Sequence, residues 1–207
     1  MIPHGVRRPA ELAEGQQDSR RENMILFVGA LQTRKNVLRL IEAFERAASS
    51  SRDQDAVQNH WRLVLAGAPS GYQSGEILAR IQESSCRDRI ELAGYISESD
   101  LEGLYSRASI FALPSLDEGF GIPVLEAMAH GVPVITSNRS ALIEVAGDAA
   151  LLIDPCTVDE LECALKRLMK DPGLRGKLSD LGRVRAKCYT WDRAVKATHS
   201  VYQEFAS

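Results

Sequence analysis

A doubly wound, parallel α/β sheet is the fold predicted for this chain, on three observations. Short, continuously apolar runs alternate with amphipathic segments of helical spacing from Met24 onward. Those runs lack the polar alternation of a half-exposed strand, so the strands are buried on both faces by helices. Glycine sits at or just beyond the end of the first three runs, at Gly29, Gly67 and Gly94, where a strand must turn sharply into the next helix.

The elements follow in order. Met24 to Gly29 reads as the first strand, and Val37, Leu40, Ile41, Phe44 and Ala48 form one stripe of the first helix. Trp61 to Gly67 repeats the strand, and a helix with its core over Ile77 to Ile81 is expected to be capped by Ser74. Arg89 to Gly94 is a strand, after which Ser97-Glu98-Ser99-Asp100 has the spacing of a capping box. Ser109 to Pro114 and Val132 to Thr136 are strands around a helix from Pro123 to His130. A short helix over Ala141 to Ala146 and a strand over Ala149 to Asp154 come next. Thr157 with Glu160 should open a helix to Lys170, Pro172 starts another, and a last helix runs from Asp192 to Phe205. Its Val195, Val201, Tyr202 and Phe205 are expected to stay partly exposed. Residues 7–23 are charged and without apolar period, the composition of a linker or flexible surface loop. The predicted organisation is therefore 1–23 linker, 24–190 Rossmann-like domain and 191–207 terminal helix.

Composition excludes several function classes. The 207 residues carry a net charge of −3, with 44% hydrophobic and 26% charged residues, so no overall basic character points to nucleic acid. Cys86, Cys156, Cys163 and Cys188 have neither disulfide-scaffold nor zinc-type spacing, which favours a reducing compartment such as the cytosol. The four histidines form no metal pattern, and no metal is expected. No apolar run approaches the length of a membrane span.

In a doubly wound sheet, ligands bind outside the carboxyl ends of the strands. Ser115 to Gly131 begins at such an end and supplies Glu118, the Gly119-Phe120-Gly121 turn, Pro123 and, one helical turn inside, Glu126. A helix starting near Pro123 aims free N–H groups into the crevice, beside those of Gly119, Phe120 and Gly121, a setting suited to phosphate. The two carboxylates are good acceptors for sugar hydroxyls. The spacing alone fits equally well a Glu118 that favours the helix N-terminus and a solvated Glu126.

Glu118-x7-Glu126, with Gly-Phe-Gly after the first Glu and Glu-Ala-Met-Ala-x-Gly-x-Pro-Val around the second, resembles the signature of glycosyltransferase family 4 (glycosyl transferases group 1). Val28-Gly29-Ala30-Leu31-x-x-Arg34-Lys35-Asn36, the Leu-Val-Leu-Ala-Gly strand, and Gly94-Tyr95-Ile96 before Asp100-Leu101 recur in the family's order, and Ile2-Pro3-His4-Gly5-Val6 is similar to its interdomain hinge. The resemblance implies the C-terminal, donor-binding half of a two-domain GT-B enzyme, with 191–207 packing on an N-terminal acceptor domain outside this chain. It implies retaining transfer of a hexose from a nucleotide sugar such as GDP-mannose or a UDP-hexose, without a cofactor. Glu118 would bind the sugar hydroxyls, Gly119, Phe120 and Gly121 the sugar and phosphate, and Glu126 the ribose. Lys35, and Arg34 where many relatives have Arg in place of Ala30, would meet the pyrophosphate beside Gly29. The backbone at Tyr95 and Ile96 would meet the base. Location would be cytoplasmic, at the inner membrane surface in a full-length enzyme.

Other patterns are set aside. Asp53-Gln54-Asp55 has the metal-binding Asp-x-Asp form but lies in a polar stretch away from any strand end. The Gly67 to Gly75 region lacks the lysine and spacing of a P-loop. A pair of carboxylates also suggests glycoside hydrolysis, yet neither is placed to protonate a leaving oxygen. A nucleotide-sugar-binding module or split-enzyme subunit without activity of its own is the competing reading, and a sugar-nucleotide epimerase is a third. The isolated chain is expected to transfer little.

Overall fold

Buried aliphatic runs dictate a sheet whose strands all run the same way. The computed structural model describes residues 4–6, 21–49, 61–69 and 71–206. Residues 7–20 of the predicted linker, the Asp53-Gln54-Asp55 segment and His60 lie outside them, as does the side chain of Phe205. The strands among the described residues are β1 (Glu22–Val28), β2 (Arg62–Ala66), β3 (Ile90–Gly94), β4 (Ala108–Leu113), β5 (Val134–Ser137) and β6 (Ala150–Ile153). They pair in parallel in the order β3-β2-β1-β4-β5-β6. The order reverses between β1 and β4, so the crevice for a ligand opens at their carboxyl ends. Sheet and helix positions thus match the predicted Rossmann-like class.

Helices α1 (Val37–Ser49), α2 (Ser74–Gln82), α3 (Glu98–Arg107), α4 (Ile122–Ala129), α5 (Ala141–Ala146), α6 (Val158–Lys170), α7 (Pro172–Ala186) and α8 (Trp191–Ala206) connect and cover the strands. Helix α1 buries the predicted stripe together with Ala43 and Ala47. The stripe Leu161, Leu165 and Leu168 of α6 is buried as well, and α1 packs along α6. Phe27, Phe44, Trp61, Tyr105 and Phe111 are the largest fully enclosed side chains, and burying an aromatic of that size contributes about 2–3 kcal/mol.

Several boundaries and caps differ from expectation. β1 begins at Glu22, inside the predicted linker, because Arg21 is anchored by its guanidinium to the carbonyls of Ala108, His130 and Gly131. Ser74 does not cap α2. Gln73 precedes the helix at φ 61, and Gly71 lies so close to Gln32 that a Cβ would stand 2.6 Å from the Gln32 side chain. Docking against the β1 loop, rather than a serine oxygen, sets that entry. Thr157 donates to the Asp154 carbonyl, and Glu160 accepts the Asp154 N–H at 2.7 Å, so the pair closes the preceding turn instead of forming a capping box. Ser97 does accept the Asp100 N–H, and Asp171 the Leu174 N–H at 2.8 Å.

At Gly67, φ is +154, and a Cβ would overlap the carbonyl oxygen of Gly29. Only glycine lets the ends of β1 and β2 approach this closely. On the opposite flank, Gly5 packs on Trp191 and Val6 donates to the Tyr189 carbonyl at 3.1 Å. The segment 4–6 is therefore fastened to the junction of α7 and α8.

Candidate donor site at the switch point

The loop after β1 is shaped by one residue. Asn36 stands in the left-handed region at φ 60, a conformation asparagine tolerates better than most side chains. Its amide donates to the carbonyls of Pro114, at 3.0 Å, and Pro155, at 2.7 Å. That stitch ties the loop to the ends of β4 and β6 and delivers Arg34 and Lys35, on a short 3₁₀ turn, over the β4–α4 loop. The Lys35 stem lies over Gly29, where a Cβ would stand 3.3 Å from Cε.

Three side chains then converge on Glu118. Lys35 Nζ lies 2.5 Å from Oε1, Ser115 Oγ donates to the same oxygen at 2.7 Å, and Arg34 reaches Oε2 at 3.2 Å. Arg34 also donates to the Asp117 carbonyl at 2.5 Å. Lys35 and Glu118 are each 8% exposed and Ser115 is fully enclosed. Burial works to raise the Glu118 carboxyl, but hydrogen bonds from Lys35 and Ser115, the Lys35 charge and the Arg34 bond outweigh it and hold the group below its usual value. Glu118 is an anion whose charge is compensated inside the protein.

The following turn is open to a ligand. Gly121 precedes α4 at φ +94, where a Cβ would stand 2.5 Å from Leu142 Cδ2. The N–H groups of Gly119, Phe120 and Gly121 make no hydrogen bond among the described residues. A Cβ at Gly119 would meet nothing within 4 Å. Phe120 turns away, edge-on to His4 at 4.9 Å and Tyr189 at 5.9 Å.

Glu126 stands apart from that cluster. Its Oε2 accepts the Tyr105 hydroxyl at 2.9 Å. Burial raises its carboxyl, the Tyr105 hydrogen bond opposes that, and the charge of Glu98 adds to the rise. Glu98 opens α3 directly after the Tyr95-Ile96 loop, so Glu126 is close to the end of β3. Tyr95 is 89% exposed, and Ile96 packs partly against the core.

The structure therefore brings Arg34, Lys35 and Glu118 into direct contact, groups Gly119 to Gly121 beside them, and sets Glu126 with Tyr95 and Ile96 toward the β3 side. Lys35 and Glu118, expected to grip different parts of a ligand, are paired with each other. Sequence reasoning passed over Ser115, Asn36, Tyr105 and the His4 contact with Phe120. Ser115, three residues before Glu118, and Asn36, beside Lys35 in the same motif, carried a signal; the rest are long-range contacts. Among the described residues no cluster of His, Cys, Asp and Glu is placed to hold a metal ion, and no helix is long and apolar enough to cross a membrane.

Comparison with known proteins bears on this site. The pattern of the family described as Glycosyl transferases group 1 matches residues 11–185. O-antigen chain mannosyltransferase B of Escherichia coli is 32% identical over 178 residues, covering 86% of this chain and 45% of the relative. An MMP alpha-(1->4)-mannosyltransferase of Mycolicibacterium hassiacum is 31% identical, covering 99% and 48%. Sucrose-phosphate synthase from Thermosynechococcus elongatus superposes with a TM-score of 0.80 at 28% identity, over 99% of this chain and 52% of that one. The C-terminal domain of a group 1 glycosyl transferase from Francisella tularensis shares the fold at TM-score 0.69 and 24% identity, covering 88% of this chain and 95% of that domain. The chain spans about half the length of the curated relatives it matches. Its solved neighbours are GT-B glycosyltransferases. With the Glu118 cluster at the switch point of a Rossmann-like sheet, this chain belongs to the family of group 1 glycosyl transferases.

Proposed function

We propose that this chain is the donor-binding half of a retaining, family 4 glycosyltransferase that moves a hexose of mannose or glucose type from a nucleoside diphosphate sugar. The observation that carries the reading is the charge-compensated Glu118 beside the N–H groups of Gly119, Phe120 and Gly121, which make no hydrogen bond among the described residues. The mannosyltransferase relatives favour mannose. The acceptor would bind on a second domain, and the four free cysteines support a reducing compartment.

In this reading the diphosphate competes with Glu118 for Lys35 and Arg34. As those cations turn to the phosphates, the carboxylate is released to accept hydrogen bonds from the sugar. Lys35, Arg34 and the N-terminal end of α4 then stabilise the charge that develops on the leaving diphosphate. Glu118, kept ionised, steadies the oxocarbenium-like sugar. Glu126 takes the ribose hydroxyls, and the loop at Tyr95 and Ile96 holds the base.

Titration calorimetry with the GDP, UDP and ADP forms of mannose and glucose tests the assignment and identifies the base. Glu126→Ala should weaken the preferred donor by about tenfold, the worth of a charged hydrogen bond. Lys35→Ala should weaken both the donor and free diphosphate by a similar factor. Unchanged affinity in Glu126→Ala would remove the ribose role, and unchanged affinity in Lys35→Ala the diphosphate role.

A further inference from the structure

Tyr105 is a fully enclosed phenol, 2% exposed, reaching from α3 toward α4. Its ring is confined, stacked on His130 at 5.2 Å with an interplanar angle of 22° and tilted against Phe111 at 5.9 Å. A hydroxyl so enclosed needs a partner inside the protein. Two acceptors are in reach, Glu126 Oε2 at 2.9 Å and the Pro123 carbonyl at a long 3.4 Å. The hydrogen bond therefore goes to Glu126, whose side chain makes no other among the described residues.

We propose that Tyr105 is a positioning residue for diol recognition, pinning Oε2 of Glu126 so that Oε1 alone is presented to the vicinal hydroxyls of a ribonucleotide. The inference rests on the ribose role proposed above for Glu126. A carboxylate on a free helix side chain samples several rotamers, and fixing one before the ligand arrives removes that ordering cost from binding. The same hydroxyl opposes the effect of burial and of Glu98 on the carboxyl, keeping Glu126 an acceptor. His130 completes the support: it ends α4, donates its N–H to the Glu126 carbonyl at 3.0 Å, and holds the tyrosine ring by stacking.

The test compares GDP, UDP and ADP with their 2′,3′-dideoxy counterparts by calorimetry, with inorganic pyrophosphate as a probe that has no ribose. The native chain should prefer the ribonucleotide by about tenfold. In Tyr105→Phe that preference should fall at least threefold while pyrophosphate affinity stays native. In a Glu126→Ala background the preference should already be lost, and adding Tyr105→Phe should change nothing further. A Tyr105→Phe chain that keeps the full preference, where Glu126→Ala abolishes it, overturns the positioning role alone. Loss of pyrophosphate binding along with the nucleotides, including by failure to fold, overturns it too, because the hydroxyl would then serve only the structure. A native chain with no ribose preference, or a Glu126→Ala chain that retains one, overturns the ribose reading beneath it.

Discussion

His130 illustrates how one buried side chain couples to pH. Burial, and then the charge of Arg21, lowers its pKa from 6.5 to about 4. In the unfolded chain the ring takes up a proton near 6.5, whereas in the folded protein it resists until about 4. Stability from this group is therefore fully present above pH 6.5 and is lost as the pH falls toward 4, by an amount on the order of 3 kcal/mol. Glu118, with its lowered carboxyl, has the same sign and adds its loss below pH 4.5. Glu126, with its raised carboxyl, has the opposite sign, its stabilisation being present at low pH and lost as the pH rises past 4.5. We expect denaturation midpoints to drop between pH 6.5 and 4, and His130→Gln to flatten that slope; equal slopes in the two proteins would contradict the account. In the sequence His130 was a residue with no metal spacing, and nothing local marked it as enclosed. Its burial depends on Tyr105, from another helix, lying over the ring.

Helix entries separate what is local from what is not. Ser97 caps as its sequence suggests, and Asp171, just before the Pro172 expected to start a helix, caps too, because in each the acceptor and the N–H it receives lie three residues apart. Ser74 and Thr157 had comparable patterns but cap neither helix: at the first, Gly71 docks on the distant Leu31 and Gln32, and at the second the neighbouring Asp154 turn absorbs Thr157 and Glu160. Asp171→Ala should therefore cost about 1 kcal/mol in urea denaturation, the usual worth of an N-cap, while Ser74→Ala should cost under about 0.5 kcal/mol. A larger loss at Ser74 than at Asp171 would reverse this ordering. The strands were legible almost to the residue, since an apolar run between glycine turns leaves few alternatives. β5 starts two residues late, at Val134, and β1 two residues early, because its start is held by Arg21 through carbonyls more than eighty positions away.

On the scale of the whole molecule, α8 leaves Trp191, Val195, Val201 and Tyr202 uncovered. In the proposed half-enzyme reading, that apolar face is where a partner domain would pack. The 207 residues alone are expected to bind donor yet transfer hexose slowly, in an assay with labelled nucleotide sugar; transfer at the rate of a complete enzyme would refute the half-enzyme view. The sequence by itself determined the strand–helix alternation and the parallel doubly wound class, because periodicity is a local property, and its motif resemblance named the candidates Lys35, Glu118 and Glu126. Only the tertiary structure decided that Lys35 pairs with Glu118 across 83 positions, and that Glu126 answers to Tyr105 instead. The first outcome follows from strand order, since β1 next to β4 carries Lys35 to Glu118, and the second from Tyr105 reaching across from α3 to Glu126. Strand order is a property of the whole sheet, set by how all its helices pack at once, and no stretch of the chain encodes it alone.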